Sequence, residues 1–202
     1  MANIRSSRAI QLSLAVATLT VAVACSSEHP GTALPVTSGA AGSTPATSAG
    51  PATTATGGDS RLTSLDACSL LTGQEATTLF KAQGSGRNDE TASSGATGNC
   101  KWTGRSANDS STSLSISVRA TQGLDQVDND GGTITSGNVN GRPATKVARN
   151  TGGYCLISLA TSPSSRVDLG YVIGASQDST EVCQVDSQIS STVEPKLPAY
   201  QP

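Results

Sequence analysis

The chain has 202 residues, with 13 Lys and Arg against 15 Asp and Glu and a net charge of −2. A near-neutral chain with no basic patch and no aromatic stacking platform argues against nucleic acid as a partner and against a polybasic grip on anionic lipid. The aromatics are Phe80, Trp102, Tyr154, Tyr171 and Tyr200 alone, so the core has to be built from Val, Leu, Ile and Ala.

Residues 1–24 carry the three parts of a secretory leader. Arg5 and Arg8 form its positive start, and the apolar run Ile10 to Val23 is broken only by Gln11, Ser13, Thr18 and Thr20. That run is too short and too polar for a comfortable membrane span, which needs about 20 mainly apolar residues. It ends in Val21-Ala22-Val23-Ala24-Cys25, which resembles the lipobox of bacterial lipoproteins, with Ala22 where leucine is usual. The reading is a cut before Cys25 and lipid on that cysteine. Two acyl chains on a diacylglyceryl thioether anchor stably where one gives only about 10⁴ M⁻¹. The expected location is the extracytoplasmic face of the cell membrane.

Residues 25–60 are dominated by Ala, Ser, Thr, Pro and Gly. Such a segment cannot bury enough surface to offset its ordering entropy and is expected to be a disordered tether, with a span of about 30–35 Å as a flexible coil. Thr44, Thr47, Thr53 and Thr54 are candidate O-glycosylation acceptors. The only histidine, His29, also lies in this segment.

Residues 61–202 read as one extracytoplasmic domain. Asp66 caps a turn through Cys68-Ser69-Leu70-Leu71, and Thr72-Gly73-Gln74-Glu75 is a capping box opening a helix through Ala76, Leu79 and Phe80. Ala82 to Asn99 reads as a loop. Cys100-Lys101-Trp102 reads as a short strand, and Ser113 to Ala120 as a strand with Leu114, Ile116 and Val118 inward. Leu124 to Asn129 suits a helical turn. Asn140-Gly141 is a type I′ turn between strands Ile134–Val139 and Arg142–Ala148. Strands Tyr154–Thr161 and Arg166–Ile173 follow, then a helix capped by Asp178 and Glu181 with Val182, Val185, Ile189 and Val193 on one stripe. The fold class is α+β: an antiparallel sheet of about five strands with an N-terminal and a C-terminal helix packed on it.

Besides Cys25, the chain has Cys68, Cys100, Cys155 and Cys183. An even set in an exported domain implies two disulfides. Four cysteines allow three pairings. The sequential one, Cys68–Cys100 and Cys155–Cys183, is favoured; each bond closes a loop of roughly 30 residues, worth about 3.6 kcal/mol in the chain-entropy model. A zinc site made of the same four would lack any C-x-x-C pair.

The order Asp66-Ala67-Cys68-Ser69-Leu70-Leu71-Thr72 with Glu75, Cys100-Lys101-Trp102, Val139-Asn140-Gly141-Arg142-Pro143-Ala144, Cys155 at a strand start and Cys183 at the start of the last helix resembles an actinobacterial lipoprotein family. That family is catalogued as a domain of unknown function and includes mycobacterial lipoproteins of the LprB type. The resemblance runs from about Asp66 to Leu197. It implies a lipid-anchored, disulfide-bonded domain and brings no substrate, cofactor or catalytic residue.

The residues offer little catalytic equipment. A Ser-His-Asp or Cys-His mechanism needs a histidine held by the fold, and His29 is not in the folded part. Lys81, Lys101, Lys146 and Lys196 could serve a serine–lysine dyad, but no S-x-x-K motif occurs and solvated surface lysines are the better reading. Asp125, Asp128 and Asp130 before Gly131-Gly132 resemble part of a calcium loop, yet the aligned first and last positions are Gln126 and Gly137. Trp102 is expected to pack on the Cys100 disulfide. No cofactor, metal ion or catalytic residue is therefore assigned. The expected function is a non-enzymatic, lipid-anchored accessory module binding a wall component, a lipid or a protein. The alternatives are a carboxylate-dependent envelope hydrolase and an inhibitor or structural partner of another exported protein.

Overall fold

The computed structural model describes residues 58–89, 94–149, 151–174 and 178–202. The expected leader, Cys25, His29 and the candidate acceptors Thr44, Thr47, Thr53 and Thr54 lie outside them. Among the described residues no helix is long and apolar enough to cross a membrane.

Asp59 caps the short helix α1 (Ser60–Thr63) and also holds the Arg61 guanidinium. Asp66 caps a 3-10 turn, Ala67–Leu70. Helix α2 (Gly73–Phe80) opens on the Thr72/Glu75 capping box, with both reciprocal bonds made. Strands β1 (Arg87–Asn88), β2 (Gly98–Arg105), β3 (Ser111–Arg119), β4 (Gly132–Val139), β5 (Arg142–Arg149), β6 (Tyr154–Ser162) and β7 (Ser165–Ile173) follow, then helix α3 (Ser179–Val193), capped by Asp178.

All seven strands form one antiparallel sheet in the order β1-β2-β3-β7-β6-β5-β4. The expected α+β class holds, but the sheet has seven strands, not about five. Cys100–Trp102 is the middle of an eight-residue strand. Arg87–Asn88, inside the expected loop, pairs with Lys101 and Cys100 at the edge. Two residues, both exposed, carry no alternation by which a strand could be recognised. They pair because the turn bearing Cys68 is bonded to the same rung, at Cys100. Both disulfides are the sequential ones, Cys68–Cys100 and Cys155–Cys183, each with Cα atoms 5.1 Å apart.

One face of the sheet carries the main core. Leu114, Ile116 and Val118 of β3, Val167, Leu169 and Tyr171 of β7 and Cys155, Ile157 and Leu159 of β6 are buried there against Val182, Ile189 and Val193 of α3. Phe80 of α2 meets Tyr171 edge to face, centroids 5.5 Å apart. Trp102 is buried beside Cys100; a Cβ on Gly86 would come within 2.6 Å of the Cys100 sulfur and collide with the indole. The disulfide, the ring and the bare glycine backbone are thus packed in contact.

The opposite face is polar. Asp168 accepts from Ser158 at 2.6 Å and from Arg166 at 2.7 Å and pairs with Arg119. Arg166 also donates to the Gly123 carbonyl at 2.6 Å, and Arg149 pairs with Asp130. These bonds hold both ends of the β3–β4 connection against this face. The acidic cluster is used within that connection: the Asp128 and Asn129 side chains accept backbone amides of the same turn. Among the described residues no group of acidic, His or Cys side chains is disposed to hold a metal ion.

Candidate functional site

Helix α3 packs chiefly on β6 and β7 because its apolar stripe is narrow, with Val182, Ile189 and Val193 buried and Ser179, Gln184 and Ser187 off to the side. The outer strands β5 and β4 therefore run out from under it. A groove open to solvent remains along that flank. One part, about 200 Å³, has Ala144, Lys146 and Ile157 on its floor, Ser187 on the helix wall and Thr135 to Val139 on its outer rim. The next part, about 330 Å³, continues past Lys146 and Ala148 toward Ser179, Thr180, Cys183 and Gln184. Lys146 and Ser187 line both.

Among the described residues, Lys146 is the one ionisable side chain lining this groove. On β5 it stands opposite Ile157 on one side and Thr135 on the other, and it is half-buried. Among the described residues its ammonium has no acidic partner and no hydrogen bond. The rest of the lining is hydroxyls, amides and small apolar groups, a surface suited to holding a ligand by shape and hydrogen bonds.

Immediately behind the wall lies Asp186, next to Ser187 but pointing inward. It is fully buried, and neither carboxylate oxygen has a hydrogen-bond partner. Burial pushes its pKa well above the ordinary carboxylate value, with the nearby Ile157 amide moderating the shift. Ser190, one turn on, is equally buried with its hydroxyl unpaired. This acid is thus favoured in its protonated form over its ionised one by the helix–sheet interface. It is walled off from the groove.

Two larger hollows, about 450 Å³ each, flank β1 and share Asn88 and Asp89. The first is lined also by Asp66, Thr97 and Asn99 and the second by Arg87, Lys101 and Thr103.

Of the lysines weighed for a dyad, Lys196 bonds Glu75 at 2.7 Å and the Leu70 carbonyl at 3.0 Å, holding the chain end on α2. Lys146 alone reaches the α3 groove; no reading of the sequence had brought it together with Ser187. The missed signal was β4 itself: Gly132–Val139 carries no charge at all, unusual for a strand left at a sheet edge. Asp186 was missed too, although its spacing from Val182 and Ile189 places it on the apolar stripe.

A family model described as "Protein of unknown function (DUF3558)" matches residues 20–196. The chain belongs to the DUF3558 family. The matched span begins ahead of Cys25 and runs through α3 into the turn after it, so it takes in both disulfides and the whole groove. No curated protein and no solved structure matches this DUF3558 chain.

Proposed function

We propose that the chain is the precursor of a lipid-anchored cell-envelope lipoprotein of the actinobacterial kind it resembles, and that its folded domain is a non-enzymatic binding module. The leader expected ahead of Cys25 supports the anchor, and the family match begins at residue 20, just before that cysteine. Two paired disulfides suit an oxidising exterior.

The observation that carries binding over catalysis is the make-up of the α3 flank. Among the described residues, its single ionisable group, Lys146, has no second titratable side chain in the groove with which to exchange a proton. General acid–base or nucleophilic chemistry needs such a pair within hydrogen-bond reach. Asp186, the carboxylate with a raised pKa, is sealed behind the wall and faces no second carboxylate across a cleft.

A thermal-shift screen of the whole chain in detergent micelles, against envelope phospholipids, wall glycans and short peptides, tests the reading. A ligand at 100 times its dissociation constant stabilises by about 2.7 kcal/mol, a shift of several degrees in a domain of this size. Binding is expected to be lost in a variant whose groove is filled, such as Ser187→Trp. Turnover of a glycan or ester probe by the wild type, abolished by Asp186→Asn, would instead establish the hydrolase.

A further inference from the structure

We propose that the free edge of β4 accepts an extended segment of a partner polypeptide as an added antiparallel strand. In this complex an acidic side chain of the segment faces Lys146 and an apolar one packs on Ile134. The inference rests on the reading of the domain as a binding module and names the partner chemistry of that same flank.

The backbone supplies the first argument. Asn140 and Gly141 have φ of 50° and 88°, the two positive values of a type I′ turn, so Val139 and Arg142 form the hydrogen-bonded pair that closes the hairpin. Such pairs alternate along an antiparallel ladder. Thr135 and Gly137 therefore spend their amides on β5, while those of Ile134, Ser136 and Asn138 point out of the sheet. Pro143 opposite Asn138 fits this register, since it has no amide to give. Among the described residues, β4 thus presents a row of free donors and acceptors over eight residues.

Natural edge strands are normally blunted by Lys, Pro, a bulge or a covering loop. Gly-Thr-Ile-Thr-Ser-Gly-Asn-Val has no charge and no proline, and its pairing with β5 is free of register shifts. Its residues from Thr133 to Asn138 are exposed on both faces. Ile134 is the exposed large apolar residue of the described chain, 45% accessible. The strand is nonetheless fixed at both ends: Asn140 bonds the Ser191 carbonyl at 3.2 Å, and Asp130 beside its start pairs with Arg149. A rigid, open edge lets a partner bind without first ordering the strand.

Charge selects the occupant. Along β4 the side chains on the groove side are Thr135, Gly137 and Val139, and a Cβ on Gly137 would meet nothing within 4 Å. A long carboxylate side chain from an added strand has an open path over these small residues to Lys146. A second copy of this chain would bring another uncharged β4 and leave Lys146 unmatched. An acidic, β-branched peptide satisfies both faces at once.

The test uses the full chain in detergent micelles with a synthetic peptide of alternating Val and Glu, and its counterpart of alternating Val and Lys. Hydrogen exchange resolved by residue is the readout. The Val/Glu peptide is expected to slow the amides of Ile134, Ser136 and Asn138 specifically. Lys146→Glu should weaken that binding about five- to tenfold and turn the preference toward Val/Lys. Ser136→Pro removes only an outward-pointing amide, so it should abolish peptide protection while the β5 amides keep theirs. The proposal is overturned if the peptide leaves the three amides unchanged or if Lys146→Glu has no effect. It is equally overturned if they are already slow without peptide, whether dilution frees them, as for a second copy, or does not, as for the chain's own N-terminal segment. If the peptide fails while a lipid or glycan still raises the melting temperature, strand addition falls and the binding reading stands.

Discussion

Asp186 takes a position that the α3 pattern would give to an apolar side chain, four residues after Val182 and three before Ile189. It enters the interface without a hydrogen-bond partner, and burial alone accounts for the upward displacement of its pKa. The sign of the consequence follows from linkage. A carboxyl that holds its proton more tightly when folded stabilises the fold at low pH; the contribution is complete below the unfolded value near 3.8 and is lost as pH rises toward the native value. Within that window each pH unit costs about 1.4 kcal/mol. Asp186→Asn keeps the shape and removes the titration. The variant is expected to be more stable than wild type at neutral pH, by a margin that shrinks steadily as pH is lowered toward 4. Urea unfolding of both proteins across that range measures the difference, in which the oppositely shifted Asp59 and Glu75 cancel. Parallel curves would mean that the carboxyl is ionised or hydrated in the native protein.

At the scale of elements, α3 is held by two devices of different kinds. Its apolar stripe buries Val182, Ile189 and Val193, and the Cys155–Cys183 bond ties its first turn to β6. The stripe is interrupted by Asp186 and Ser190, so the covalent tie carries more than its usual share at that end. Replacing both cysteines by serine is expected to cost about 2–4 kcal/mol and to raise amide exchange first in the N-terminal half of α3, with β3 and β7 protected until global unfolding. Uniform loss of protection across the sheet would show that the bond serves the whole fold and not the helix. Elements of this kind were legible where the signal is local. The Thr72/Glu75 box, the Asn140-Gly141 turn, the Asp178 cap and the alternation of Leu114, Ile116 and Val118 each act within a few residues, and each stands where its chemistry predicts. What depends on distant partners was not legible. β1 exists through its rungs to Lys101 and Cys100, and β3 lies against β7 because the chain crosses the polar face and returns through three hairpin connections. The groove escaped for the same reason: Lys146 on β5 and Ser187 on α3 meet only once that order is built.

At the scale of the whole molecule, the leader reading and the disulfide framework make one connected demand on the compartment. Cys68, Cys100, Cys155 and Cys183 form the two pairs, which leaves Cys25 as the fifth cysteine of the chain. A thiol left alone outside the cell would be open to oxidation and mispairing; on the proposed reading, thioether formation to diacylglycerol would remove it and supply the anchor together. Two acyl chains hold a protein on a bilayer where one does so only marginally, and the charge balance of −2 offers no electrostatic substitute. Cys25→Ala should therefore move the protein from the membrane fraction to the soluble extracytoplasmic fraction, with both disulfides intact and the melting temperature of the folded domain unchanged. Fractionation at low and high salt, with thiol titration of the released protein, is the measurement. Membrane retention of the variant equal to wild type at both salt concentrations would refute the anchor, and free thiols among the remaining four would refute the exported compartment.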